Sequence, residues 1–232
     1  MKKRSLLLLA TFTLFTNTLY SQTSYIDYQS PFHPIITDGP MVVSQNHLSS
    51  EVGIEIIKNG GNAVDAAVAV GFSLSVTLPR AGNLGGGGFM LIYLKDQNEI
   101  LAIDYRGQSP SELKADQIFG LELPKEYKNA NRDIVRYGYK ASTIPGTVSG
   151  LLLAHAEFGK LPLKEVMKPA IDQAMNGFHV SFDLEQAIGS APQLSWDDES
   201  SKIYLSNGKP LKEGSVMKRP DLAKTMNLIS EN

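Results

Sequence analysis

The sequence predicts an α+β fold, and three features predict it. The stretch from Ala63 to about Val76 is apolar on almost every helical face and rich in Ala, Gly and Ser, which describes a helix buried all round. Phe89 to Leu94 and Ile100 to Tyr105 are short apolar and aromatic runs flanking Lys95-Asp96-Gln97-Asn98-Glu99, the pattern of a β-hairpin with one face or both in a core. From Thr147 onward apolar residues recur at helical spacing between glycine stops.

The chain starts with Lys2-Lys3-Arg4, then Leu6-Leu7-Leu8-Leu9-Ala10 and apolar character to about Phe15, then polar Thr16-Asn17-Thr18 and Tyr20-Ser21-Gln22. A charged segment, a short apolar segment and a small residue at a cut after Ser21 make residues 1–21 an expected signal peptide, too short to span a bilayer comfortably. Export to the periplasm or beyond follows as the expected location. Residues 22–40 read as an extended mature N-terminus, and 41–232 as the folded portion.

Met41-Val42-Val43 predicts a short strand. Asn46 is placed to cap a helix carrying Leu48, Val52 and Ile56, and Gly60-Gly61 to stop it. Asn62 caps the buried helix, with Asp65 in its first turn where an anion suits the macrodipole. Thr77-Leu78-Pro79 ends it, since proline disfavours helix in the residue before it. Between Gly107 and Lys140 the chain is polar and irregular, with one short helix expected near Ala115 to Phe119. Helices are then predicted from Thr147 to Phe158, closed by Gly159, and from about Leu163 to Met175, closed by Asn176-Gly177. A small hairpin is expected around Asn207-Gly208. Asp221 opens a last amphipathic helix whose stripe of Leu222, Met226 and Ile229 implies a partner surface that later sequence supplies, so the chain reads as part of a longer protein.

Composition narrows function. A net charge of −2 over 232 residues, 42% of them hydrophobic, fits a globular protein and gives no sign of nucleic-acid binding. With no cysteine, thiol nucleophiles and thiolate metal sites are excluded. His33, His47, His155 and His179 show no metal-binding spacing and read as surface or capping residues. No metal and no cofactor is expected. Ser111-Glu112-Leu113-Lys114 matches a serine acyl-enzyme S-x-x-K pattern, but its companion motifs are missing.

Gly82-Asn83-Leu84-Gly85-Gly86-Gly87-Gly88 holds five glycines in seven residues. Because it leads into a strand and lacks Gly-Lys-Ser/Thr, it is neither a Walker loop nor a dinucleotide fingerprint. It predicts close backbone approach, either by a ligand or by a neighbouring segment packed on it. Arg106 is the sharpest single candidate. It follows a strand ending in Asp104-Tyr105, where a rigidly held guanidinium can grip a carboxylate through two parallel hydrogen bonds. The alternative is an ordinary ion pair with Asp104.

Met41-Val42-Val43-Ser44, Gly60-Gly61-Asn62-Ala63-Val64-Asp65-Ala66-Ala67-Val68-Ala69, Gly82-Asn83-Leu84-Gly85-Gly86-Gly87-Gly88-Phe89-Met90 and Pro145-Gly146-Thr147-Val148 together resemble the γ-glutamyltranspeptidases (glutathione hydrolases), in the right order from about Val42 to the end. The resemblance implies part of an αββα N-terminal-nucleophile hydrolase sandwich, made by an autocleaved precursor. Residues 41–232 then correspond to the front portion of the large subunit. It implies γ-glutamyl transfer through an acyl-enzyme on a threonine that heads the small subunit, beyond Asn232, so the chain alone should be inactive. Arg106 maps onto the family's arginine that binds the glutamyl α-carboxylate, although Gly107 stands where glutamate is usual. The implied partners are small γ-glutamyl substrates such as glutathione and the small subunit of the same precursor, with no nucleic acid and no membrane after leader removal. Two other readings remain: a related acylase that cleaves a dicarboxylic acyl group such as glutaryl, and a non-catalytic exported binding domain.

Overall fold

The computed structural model describes residues 36–114 and 141–231. The chain divides at Gly39–Pro40 into two units. In the described end of the first, residues 36–39, the Gly39 N–H donates to Thr37 Oγ1 at 3.1 Å. All the elements below belong to the second. The expected signal peptide and the helix near Ala115 to Phe119 lie outside the described residues.

Helix α1, His47–Lys58, starts where expected: Asn46 accepts the Leu48 N–H on its side chain at 3.0 Å. It ends at Asn59, and Gly60 takes a left-handed φ of +93°, which favours glycine. Helix α2, Ala63–Thr77, opens with a complete capping box, Asn62 accepting from Val64 and Asp65 while Asp65 accepts from Asn62. Its faces are covered by α1, by α3 (Thr147–Phe158) and by α4 (Leu163–Asn176). Val68, Ala69, Phe72 and Val76 are wholly buried, which is why this helix carries so few polar residues. Those few are paired. Ser49 Oγ meets Ser73 Oγ at 2.8 Å and Thr77 Oγ1 at 2.9 Å, and Ser73 donates to Gln173 Oε1 at 2.7 Å. This hydroxyl chain ties α1, α2 and α4 together inside the core.

The expected strand at Met41-Val42-Val43 does not form. Among the described residues no strand lies beside it to supply a ladder. Val42 instead docks in the notch left by Gly53 of α1, where a Cβ would come within 2.7 Å of it, while Met41 and Val43 are exposed.

Strands β1, Phe89–Leu94, and β2, Glu99–Asp104, form the expected antiparallel hairpin, with Phe89 opposite Asp104 and Leu94 opposite Glu99. Asn98 in the turn has φ +51°. Only one face turns inward, through Met90, Ile92, Leu94 and Ile103. On the other, Phe89, Leu91, Tyr93 and Ile100 are exposed, each by more than half.

Past α4, which ends at Gly177 with φ +95°, two strand pairs brace the helices. Strand β3, Phe178–His179, pairs with β6, Val216–Met217, and β4, Leu205–Ser206, pairs with β5, Lys209–Pro210. The second pair is the expected hairpin, its turn made by Asn207 and Gly208 at φ +52° and +73°. Helix α5, Phe182–Gly189, and helix α6, Asp198–Tyr204, lie between them and have only weak helical patterns in sequence. Each relies on a cap, Ser181 accepting from Leu184 and Asp197 accepting from Ser200. The Ser200 N–H holds the Asp197 carboxyl below its usual range.

Helix α7, Pro220–Glu231, has proline at its first position, where no intrahelical N–H is required. Its buried residues are Ala223, Met226 and Ser230, with Leu222 and Ile229 only partly covered. The stripe packs on α4, so the partner expected from later sequence is found within the chain.

Candidate functional site

The site is built where the end of β2, the glycine loop and the start of α3 meet. Beyond Asp104 the ladder continues for one residue: the Tyr105 N–H donates to Gly88 O at 3.0 Å and the Gly88 N–H to Tyr105 O at 3.3 Å. A second segment closes from the other side. Gln108 and Ile144 exchange both backbone hydrogen bonds, at 3.2 and 2.8 Å, which brings Pro145-Gly146 against the arginine strand. Gly86 O then accepts from Gly146 N at 2.8 Å and Thr147 N at 3.1 Å. The first amides of α3 are therefore spent on the glycine loop.

These contacts decide what the glycines are for. A Cβ on Gly87 would lie 2.6 Å from Tyr105 O, and one on Gly146 would overlap the same carbonyl. Around the ring, a Cβ on Gly88 would come within 2.9 Å of Tyr105 Cε2, and one on Gly150 would penetrate the ring. The loop packs beneath a neighbouring segment, one of the two approaches its composition predicts. Gly107 is similar: a Cβ there would lie 2.6 Å from Thr143 Oγ1. Burial of Tyr105 raises its phenol above the usual value.

Side-chain direction follows from extended backbone, where alternate residues face opposite sides. Tyr105 and Gly107 face the packed side. Asp104, Arg106 and Gln108 face the other way, and a cavity of about 270 Å³ opens at this junction, lined from both sides by Asp104, Tyr105, Arg106, Gln108, Ile144 and Gly150 among others. Asp104 Oδ1 accepts the backbone N–H of Arg106 at 2.9 Å. The carboxylate that was the arginine's candidate ion-pair partner thus bonds its main chain, and among the described residues no carboxylate pairs with the guanidinium. The result is an exposed cation on constrained backbone at the wall of a concavity, suited to an anionic group.

The other sequence candidates lie elsewhere. Ser111 and Lys114 are on an exposed turn. His47 opens α1, His179 Nδ1 meets Gly214 O at 3.0 Å, and His33 lies outside the described residues. His155 is not a surface residue. It is mostly buried, with Nε2 2.8 Å from Leu161 O and 3.7 Å from Asp65 Oδ1. Among the described residues no group of three His, Asp or Glu is arranged to hold a metal, and no helix is long and apolar enough to cross a membrane.

Asp65 exceeds its expected role. It is wholly buried and accepts N–H groups from Asn62 at 2.9 Å and from Lys160 at 3.0 and 3.1 Å, with Leu161 at 3.4 Å. It therefore pins the α3–α4 turn to the start of α2. Sequence reading also missed Tyr105 and the Thr143–Gly150 wall of the site. The spacing of Gly146 and Gly150, one helical turn apart on one face, was the available signal.

The Gamma-glutamyltranspeptidase family model matches residues 49–232. The chain is 39% identical over 211 residues to a "Glutathione hydrolase proenzyme" of Escherichia coli strain K12, covering 90% of this chain and 35% of that protein. It is 36% identical over 207 residues to an "Acylase ACY 1 proenzyme" of Pseudomonas sp. strain V22, covering 88% and 37%. The fold superposes on the crystal structure of Helicobacter pylori gamma-glutamyltranspeptidase with a TM-score of 0.77 and 34% identity, over 85% of this chain and 56% of that one. The chain spans about a third of the length of the curated relatives it matches.

Proposed function

Since this chain belongs to the γ-glutamyltranspeptidase family, we propose that it forms the front of the large subunit of an exported γ-glutamyltransferase/glutathione hydrolase, with Arg106 binding the α-carboxylate of the glutamyl group. The α+β arrangement of residues 41–232 is then one part of the αββα sandwich, which the remainder of the precursor completes. Residues 1–21 serve as the leader, and the mature protein works in the periplasm or outside the cell.

In the full protein the chemistry is acyl transfer. The hydroxyl of the small subunit's N-terminal threonine attacks the γ-carbonyl carbon, and its proton passes to the threonine α-amine. Backbone donors stabilise the tetrahedral oxyanion. The C–N bond breaks, the amine leaves with a proton, and a γ-glutamyl ester remains on the threonine. Water, an amino acid or a peptide then attacks that ester and frees the enzyme. Arg106 takes no proton in this sequence. It holds the far end of the substrate so that the γ-carbonyl meets the nucleophile in a fixed pose.

The observation that carries this reading is that Arg106 lines a cavity, on backbone held from both sides, with its local carboxylate engaged elsewhere. The test is Arg106→Ala in the full-length protein with γ-glutamyl-p-nitroanilide. Losing a charge-assisted contact of roughly 1.5–3 kcal/mol should raise KM by about tenfold to a hundredfold, with kcat less affected. Unchanged kinetics would remove Arg106 from the site.

A second reading is supported by Gly107, where the family usually has glutamate, and by the likeness to an acylase proenzyme. Under it the scissile amide carries a dicarboxylic acyl group such as glutaryl. Comparing γ-glutamyl with glutaryl p-nitroanilide separates the two, because only the former has an α-amine.

A further inference from the structure

We infer that Tyr105 is a positioning residue: its ring, seated between the glycine loop and α3, sets the direction of Arg106. This rests on the carboxylate-binding reading of Arg106.

The guanidinium ends a long side chain whose stem has few constraints of its own. Near its base the Arg106 N–H donates to Asp104 Oδ1 at 2.9 Å. What fixes its aim is therefore the orientation of the peptide units on either side of it: the Gln108–Ile144 pair holds the chain beyond, and Tyr105 fixes the peptide unit before. Its N–H and C=O are both bonded to Gly88. Its carbonyl is approached so closely by Gly87 and Gly146 that neither tolerates a Cβ. Its ring fills a socket whose two walls, Gly88 and Gly150, come from different segments and are both bare. Tyr105 Oη reaches Phe89 O at a long 3.5 Å, so shape rather than the hydroxyl carries the effect. Gly87 also abuts the Arg106 carbonyl carbon, with a Cβ there falling at 2.9 Å. A smaller residue at 105 lets this junction shift, and a small rotation at the Cα becomes a large displacement of the guanidinium.

A residue acting only on stability would depress every substrate equally, whereas one acting through Arg106 should depress only those bearing the carboxylate. The experiment therefore uses the full-length protein with two substrates, γ-glutamyl-p-nitroanilide and 4-aminobutyryl-p-nitroanilide, which lacks the α-carboxylate. The readout is the ratio of their kcat/KM values. Tyr105→Leu should lower that preference by about tenfold or more, since small misplacements of binding groups cost on this scale. Tyr105→Phe, which keeps the ring, should restore it. In an Arg106→Ala background Tyr105→Leu should lower the preference no further, because the two act as one unit. Equal losses on both substrates, or effects of Tyr105→Leu and Arg106→Ala that multiply, overturn the inference. Should Tyr105→Leu fail to fold, Gly88→Ala presses on the ring while leaving Tyr105 in place, and an unchanged preference in that folded variant overturns it equally. The two failures are distinct. Arg106→Ala keeping its preference rejects the carboxylate reading itself, while a collapse there with none in Tyr105→Leu rejects only the role of Tyr105.

Discussion

Replacing Asp65 removes the acceptor for three backbone N–H groups at once, and the loss can be worked from their geometry. Two of the contacts are short, Asn62 at 2.9 Å and Lys160 at 3.0 and 3.1 Å to the two carboxylate oxygens, and the Leu161 contact at 3.4 Å is weak. Charge-assisted bonds contribute roughly 1.5–3 kcal/mol each, so two good ones give about 3–6 kcal/mol. Against this, Asp65→Ala relieves the cost of holding a wholly buried carboxylate, and Lys160 is exposed enough for its N–H to find water. The net loss should be about 3 kcal/mol. A loss of this size lowers Tm. Asp65→Asn, of equal volume, keeps one acceptor but turns an amide N–H2 toward donors, so it should recover less than half of the loss. Calorimetry of the full-length protein measures the shift, and amide hydrogen exchange locates it at Lys160 and Leu161. A fall in stability under about 1 kcal/mol for Asp65→Ala would show that the carboxylate is not what holds the α3–α4 turn, since losing even one such bond exceeds that.

Other outcomes follow from the same contacts. Gly107→Ala puts a Cβ 2.6 Å from Thr143 Oγ1 and should destabilise by roughly 1–3 kcal/mol, an overpacking effect. Combining it with Thr143→Gly should recover most of that in denaturant unfolding, and simple additivity would refute the clash. Burial raises the Tyr105 phenol. Below its unfolded value of about 10 the group is neutral in both states and costs nothing, but above it the unfolded chain loses the proton first, so stability should fall with pH until the folded group also ionises. Tyr105→Phe should flatten that part of the alkaline stability profile, and an identical slope would show that the raised phenol does not contribute.

Much of the frame is local and so was readable from the chain. Asn46 and Asn62 cap where they should, Gly60 and Gly177 terminate helices in left-handed conformations, and Asn207-Gly208 turns the hairpin. Each depends on a few neighbouring residues, and so does the all-apolar pattern that marked α2 as buried. The place of Arg106 just past the second strand of a hairpin was likewise legible, because a hairpin is local. The failures are equally physical. Met41-Val42-Val43 has strand composition, but a ladder requires a partner that composition does not supply. Helices α5 and α6 are too short for periodicity to register, and caps and packing hold them instead.

The sequence by itself determined the helices α1 to α4 and α7, the β1–β2 hairpin and the need of the glycine loop for bare backbone. Only the tertiary structure decided what the loop is bare for, because Gly86, Gly88, Tyr105, Gly146 and Gly150 come together through contacts between residues far apart in the chain. It likewise turned Asp65 from a first-turn anion into the clasp of a distant loop, engaged Asp104 with a backbone N–H, and put Arg106 among the residues lining a cavity. Periodicity and capping act over one or two turns of chain, whereas the shape of a site depends on which segments pack together, and that is settled only when the core closes.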